Sequence, residues 1–209
     1  DVSLVGSEMC IRDRHRITSS AEKSMLEDLL KDNTGFTINQ NHKDSIDYPP
    51  LNFDLTSLQR EANSLWSWTS KDTLSVAQEL YDTHKLTTYP RTDSRHLPED
   101  MIETIGKTIT QLGAQKAYSE HTKRLKDNGL QNVKKIFDDS KVSDHYAIIP
   151  TGKLPQGNLN SRASKLYDLI CRQFLASFHP KAVWDVQTRI ASKQGQNFYK
   201  EVRIIKDAG

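Results

Sequence analysis

The sequence is short of the residues that mark special classes of protein. Two cysteines, Cys10 and Cys171, in 209 residues exclude a disulfide framework and a four-cysteine zinc site, and make a reduced, cytosolic compartment the default. Nine glycines and seven prolines are too few for collagen-like or low-complexity material. No apolar run approaches the roughly 20 residues of a membrane span, in keeping with a mean hydropathy of −0.69. Charge of one sign is also missing: 29 Lys and Arg stand against 27 Asp and Glu, a net +2. That is too weak a global field to announce a nucleic-acid protein, so any such contact must rest on local patches.

What remains is ordinary globular material, 35% hydrophobic and 27% charged. Its length suits one large domain, or one domain with pieces of a second. The opening DVSLVGSEMCIRDR has neither the basic start nor the apolar centre of a signal peptide. It reads as translated sequencing-adaptor text, so residues 1–14, with Cys10, are set aside as an extraneous leader.

The rest divides into three zones. Residues 15–48 hold a short helix around Glu22 to Leu30 and then an alternating piece at Phe36 and Ile38, like the end of a unit begun upstream. Tyr48-Pro49-Pro50 is a stiff break. Residues 49–180 are mainly helical. Leu58, Ala62, Leu65 and Trp66 recur at helical spacing, as do Leu74, Ala77 and Tyr81, and then Ile102, Ile105, Ile109 and Leu112. Pro98, Glu99 and Asp100 suit the first turn of the third helix. A fourth runs near Tyr118 to Lys126, stopped by Asn128-Gly129, and a last one from Ser161 to Phe178 with Leu166, Ile170 and Phe174 on one face. Residues 181–209 change to a period of two: Val186, Thr188 and Ile190, a turn at Gly195, then Phe198, Val202 and Ile204, which is a hairpin. The expected fold class is α+β, a mainly helical domain inserted between incomplete β-containing segments.

Chemistry concentrates in Leu86-Thr87-Thr88-Tyr89-Pro90-Arg91-Thr92-Asp93-Ser94-Arg95, which is richer than a connecting loop needs. Pro90 favours an extended Tyr89, which puts the Arg91 guanidinium on the same side as the Tyr89 phenol. A tyrosine of pKa about 10 is only about 0.1% ionised at neutral pH, so a nucleophilic tyrosine needs such a cation or a base. Arginine also grips phosphate bidentately and stabilises charge growing on its oxygens. A tyrosine attacking a phosphodiester is the functional reading. The plainer one makes Tyr89 a half-buried anchor and Arg91–Asp93 a surface pair worth under about 1 kcal/mol.

Ser143 to Thr151 is the second candidate. Its apolar half reads as a buried strand end, and His145 at its polar side can donate to phosphate or shuttle a proton, or be purely structural. Gly106-Lys107-Thr108 is dismissed as a phosphate loop, because Met101 stands where the first glycine is needed and the segment reads as helix interior. Lys123, Arg124 and Lys126, with Lys134 and Lys135, can touch a DNA backbone, and a solvated helix face is the simpler reading.

Three blocks together carry a resemblance: Phe53 to Asn63, Thr73 through Gln78 and Tyr81 to Thr88-Tyr89-Pro90-Arg91-Thr92-Asp93-Ser94, and His145 to Thr151, extending into Leu166 to Phe174. In this order and spacing they resemble the central part of a type IA DNA topoisomerase, most like the bacterial topoisomerase III branch. The resemblance implies that Tyr89 attacks one DNA strand and keeps its 5′ phosphate while another strand passes, then reseals it without ATP. It implies that Arg91 orients the scissile phosphate, that His145 contacts the backbone near the break, and that Asp93, Gln78 and Thr88 support the site. Residues 49–180 would be the tyrosine-bearing domain, and residues 15–48 and 181–209 parts of the arch. The family often has a second histidine where Tyr146 stands.

The family's Toprim domain, with its Asp-x-Asp-x-Glu magnesium cluster, is not found in these residues. The expectation is therefore a fragment of a longer enzyme, inactive alone, with Mg2+ bound by the missing domain and no metal site of its own. The implied partner is single-stranded DNA, the implied setting the bacterial cytoplasm and nucleoid, and the outcome relaxation or decatenation. The alternative is a noncatalytic DNA-binding remnant. A tyrosine recombinase or a relaxase is disfavoured, because neither the separated Arg and His residues of the one nor the His-rich metal site of the other is present.

Overall fold

The computed structural model describes residues 11–12, 19–31 and 34–209. The remainder of the supposed leader, with Cys10, lies outside the described residues. The elements in chain order are β1 (Ile11–Arg12), α1 (Ser20–Lys31), β2 (Thr37–Asp47), α2 (Leu55–Trp66), α3 (Ser70–Asp82), a 3-10 turn (Glu99–Met101), α4 (Ile102–Leu112), α5 (Ser119–Asn128), α6 (Val133–Ile136), a second 3-10 turn (Asp139–Lys141), α7 (Ser161–Ser177), β3 (Ala182–Lys193) and β4 (Gln196–Asp207). The chain forms two units. One holds the residues up to Asp47 together with Lys181–Gly209, and the other is Tyr48–Pro180.

The first unit is built on an antiparallel sheet in the order β1-β4-β3-β2. Gln194 and Gly195, both at positive φ (47° and 75°), make the two-residue turn that the right-handed twist of a hairpin favours. β2 pairs with β3 along its whole length, from Thr37 opposite Ser192 to Asp47 opposite Ala182. It extends well past the Phe36 and Ile38 signal because its polar sequence is exposed almost throughout, so no buried face had to be patterned. Ile11 and Arg12, within the stretch set aside, pair with Tyr199 and Phe198.

The helical unit contains one continuous apolar core, with Leu58, Leu80, Ile105, Leu112, Leu166, Ile170, Phe174 and Phe178 among its fully buried members. Asp54 and Ser57 form a capping box that starts α2, the Ser57 amide donating to Asp54 Oδ1 at 2.6 Å and satisfying one of the free amides of the first turn. Ser67, in the left-handed region at φ 56°, closes that helix, and Thr69 caps α3. α3 buries Thr73, Val76, Ala77 and Leu80, one residue out of phase with the expected Leu74, Ala77 and Tyr81. Thr73 can enter the core because its hydroxyl donates to Thr69 O at 3.1 Å, and that rotation leaves Tyr81 only half-buried. In α4 the inward face is Ile105, Thr108, Ile109 and Leu112, while Ile102 stays 42% exposed. Gly106-Lys107-Thr108 lies inside this helix.

Candidate active site

The loop after α3 and the segment 143–151 are stitched side by side. Leu80 O accepts the Leu86 amide at 2.9 Å, and Leu86 O then accepts the Thr151 amide at 2.9 Å. Thr87 and Pro150 form an antiparallel bridge. The Thr88 amide donates to Ile149 O at 2.9 Å, while its hydroxyl donates to Ala147 O and accepts the Ile149 amide, both at 2.9 Å. Thr92 Oγ1 donates to His145 O at 3.0 Å, and Ser94 Oγ donates to Lys141 O at 2.7 Å. The hydroxyl-rich stretch is thus largely spent on backbone carbonyls and amides, as buried polar groups require. Ala147, Ile148 and Ile149 are buried as expected of a strand end, yet Ile148 makes only an isolated bridge, to Phe53, and the segment forms no strand.

This stitching brings Tyr89 to His145. Their rings lie with centroids 4.4 Å apart and planes tilted by 46°. Tyr81 meets Tyr89 edge-on from the other element, at 5.4 Å and 75°. Tyr89 is half-buried, and its hydroxyl has no hydrogen-bond partner among the described residues. The expected companion, Arg91, is exposed and makes no ion pair or hydrogen bond among the described residues; the ring against Tyr89 is His145 instead. An Arg91–Asp93 surface pair does not form either, since Asp93 Oδ1 accepts from Ser143 Oγ at 3.3 Å. Gln78 is half-buried on α3 one turn before Tyr81, its side chain without a hydrogen-bond partner among the described residues.

Sequence reasoning missed Tyr81 and Lys85 as members of this cluster. Lys85, in the left-handed region at φ 56°, carries its Nζ 5.3 Å from the centre of the Tyr81 ring. The signal for Tyr81 is the α3 phase: with Thr73, Val76, Ala77 and Leu80 on the buried face, Tyr81 is left half-buried against Tyr89. Tyr146, where the family often has histidine, is half-buried; burial, Asp100 and Tyr81 push its phenol up from the ordinary value, so it stays neutral at physiological pH. Burial likewise holds His96 below its ordinary value, with Lys141 adding to the shift.

Among the described residues no group of three or more His, Cys, Asp or Glu is placed to hold a metal ion. No described helix is long and apolar enough to cross a membrane.

This fold and loop arrangement fall within the DNA topoisomerases, whose family model matches residues 7–209. Over 163 residues the chain is 39% identical to the DNA topoisomerase 3 of Bacillus subtilis, covering 78% of this chain and 22% of that protein. Over 209 residues it is 33% identical to the DNA topoisomerase 3 of Staphylococcus epidermidis, covering all of this chain and 29% of that one. The structure of full-length topoisomerase I from Thermotoga maritima has a similar fold, with a TM-score of 0.60 over 93% of this chain and 31% of its own, at 23% identity. The chain belongs to the type IA DNA topoisomerases and is topoisomerase III-like. It spans between a fifth and a third of the length of these curated relatives.

Proposed function

We propose that this chain supplies the nucleophile of a type IA topoisomerase reaction. Tyr89 Oη attacks a backbone phosphorus of single-stranded DNA; the oxygen–phosphorus bond forms, the bond from phosphorus to O3′ breaks, and the 5′ phosphate stays on the tyrosine. The phenol gives up its proton and the leaving O3′ gains one. After another strand has passed, O3′ attacks the phosphotyrosine and restores the original bond, so no ATP is consumed and the outcome is relaxation or decatenation. Arg91 binds the non-bridging oxygens of the scissile phosphate and stabilises their growing charge. His145 donates to the DNA backbone beside the break, and Thr88, Asp93 and Gln78 support the site.

The observation that carries this reading is Tyr89 itself. It is a half-exposed phenol held by ring contacts, its oxygen left free of protein partners among the described residues, with an unpaired arginine two residues on. In this reading Tyr48–Pro180 is the nucleophile domain and the sheet unit part of the arch. A Toprim domain outside this stretch supplies magnesium, the 209-residue chain alone binds DNA without turnover, and the working compartment is the bacterial cytoplasm and nucleoid.

The test is a covalent-adduct assay on a full-length enzyme carrying this sequence, with a 3′-labelled single-stranded oligonucleotide, denaturant trapping and peptide mass spectrometry. The adduct is expected on Tyr89 and absent in Tyr89→Phe. An adduct that persists in Tyr89→Phe, or maps elsewhere, overturns the assignment. The chain itself should bind single-stranded DNA more tightly than duplex by fluorescence anisotropy. Binding without any adduct in the full-length enzyme marks a noncatalytic remnant.

A further inference from the structure

Resting on the reading of Tyr89 as nucleophile, we infer that Tyr81 is a positioning residue that sets the direction of the Tyr89 phenol before DNA arrives. The phenol oxygen has no hydrogen bond among the described residues, so its direction depends on what the ring touches. Two aromatic rings touch it, from different parts of the unit. His145 lies against the ring at 4.4 Å with a tilt of 46°, and Tyr81 meets it at 5.4 Å and 75°, the edge-to-face geometry that the ring quadrupoles favour.

His145 restrains the Tyr89 ring from the segment 143–151. The second aromatic contact restrains it from α3, an element anchored in the core through Thr73, Val76, Ala77 and Leu80. Tyr81 is itself held in place. Lys85 lies over its ring at 5.3 Å, and the Lys85 backbone is fixed by Thr151 Oγ1, which donates to Lys85 O at 2.8 Å. Preorganisation of this kind acts on the attack step, because a nucleophile already aligned for in-line attack on phosphorus loses little freedom at the transition state. The role needs the aromatic ring of Tyr81 and not its hydroxyl, and it touches neither phosphate nor leaving group.

Single-turnover cleavage by the full-length enzyme is compared with single-stranded DNA affinity for Tyr81→Phe, Tyr81→Leu and Tyr81→Met. Tyr81→Phe should cleave within about twofold of the parent, and the Leu and Met variants at least about tenfold slower, with dissociation constants within about twofold. Thermal melts check the fold, and the flexible Met side chain replaces the bulk if Leu does not fold. In the 209-residue chain, the ring resonances of Tyr89 should shift in the Leu and Met variants and not in Phe. Cleavage at the parental rate by Leu or Met overturns the inference, as does an equal loss in Phe or a loss of affinity that accounts for the whole effect. An adduct persisting in Tyr89→Phe removes the underlying assignment instead, so the two failures are distinct.

Discussion

Thr92 Oγ1 donates a hydrogen bond to the His145 carbonyl at 3.0 Å, so a residue just past Tyr89 fixes the backbone of the histidine that lies against it. The same oxygen accepts the Ser94 amide at 3.1 Å, and Thr92 is only 6% exposed. Thr92→Val keeps the shape and removes both bonds, leaving the buried Ser94 amide and the part-buried His145 carbonyl without their partner. The expected cost is about 1–3 kcal/mol of stability, while Thr92→Ser, which restores the hydroxyl, should recover most of it. Urea unfolding of the chain measures both, and a Val variant as stable as the parent would show that water replaces the hydroxyl at no cost.

Arg91 gives the opposite pattern. Exposed and without a protein partner among the described residues, it contributes little to the fold, and Arg91→Ala should change stability by no more than about 0.5 kcal/mol. If it stabilises charge on the scissile phosphate, cleavage by the full-length enzyme should fall by about 10²–10³, the usual loss of one such donor. Unfolding and single-turnover cleavage together decide the matter. A variant that is unstable, or that cleaves normally, contradicts the proposed role.

The difference between these residues explains how far the sequence could be read. Ile105, Ile109 and Leu112, like Leu166, Ile170 and Phe174, signalled their helices because a fully buried stripe must be apolar at helical spacing. The β3–β4 hairpin was equally legible from its alternation and Gly195. α3 misled because two phases fit its apolar residues, and the true one includes Thr73, a polar residue made compatible with the core by a bond to Thr69 O. β2 was half visible, since a strand exposed on both faces carries no alternation and its partner lies far along the chain. At the candidate site the chemistry-bearing residue types stood out, but their neighbours did not. His145 reaches Tyr89 through hydroxyl-to-backbone bonds from Thr88 and Thr92, contacts that leave no periodic trace.

Stability should decline on the acid side of neutrality. His179 is held below the ordinary histidine value of 6.5 by burial, with His121 and Arg124 adding to it. His96 is lowered by burial, Lys141 and Arg95, against a smaller opposing pull from Asp138. A histidine that resists protonation when folded takes up its proton more readily in the unfolded chain. The unfolded state therefore binds more protons below the ordinary value, and stability rises with pH through that window and is complete above about 6.5. The lowered carboxylates Asp72, Asp138 and Asp185 act below their own ordinary value of 3.8 and leave this window alone. Urea midpoints should fall from pH 8 to pH 5.5, and the His96→Gln, His179→Gln double variant should flatten that slope. An unaltered slope in the double variant assigns the effect to other groups.

Gly152 tests whether the backbone after Thr151 is as constrained as its neighbours imply. Its φ is +85°, a region that side-chain-bearing residues rarely adopt. A Cβ there would run into Gln111 Oε1 and lie 3.3 Å from Thr108 Cα. The Gln111 side chain can turn aside, but the backbone of α4 cannot, and the strained φ remains whatever the space. Thr151, immediately before it, donates its amide to Leu86 O and its hydroxyl to Lys85 O. Any shift at Gly152 therefore pulls on the loop that runs to Tyr89. Gly152→Ala should lose about 1–3 kcal/mol of stability and slow cleavage as well, whereas Gly157→Ala, also at positive φ but with nothing within 4 Å of the added Cβ, carries the φ strain without the collision. The difference in urea midpoint between the two variants isolates the contact with α4, and equal midpoints would mean that α4 yields to the added methyl.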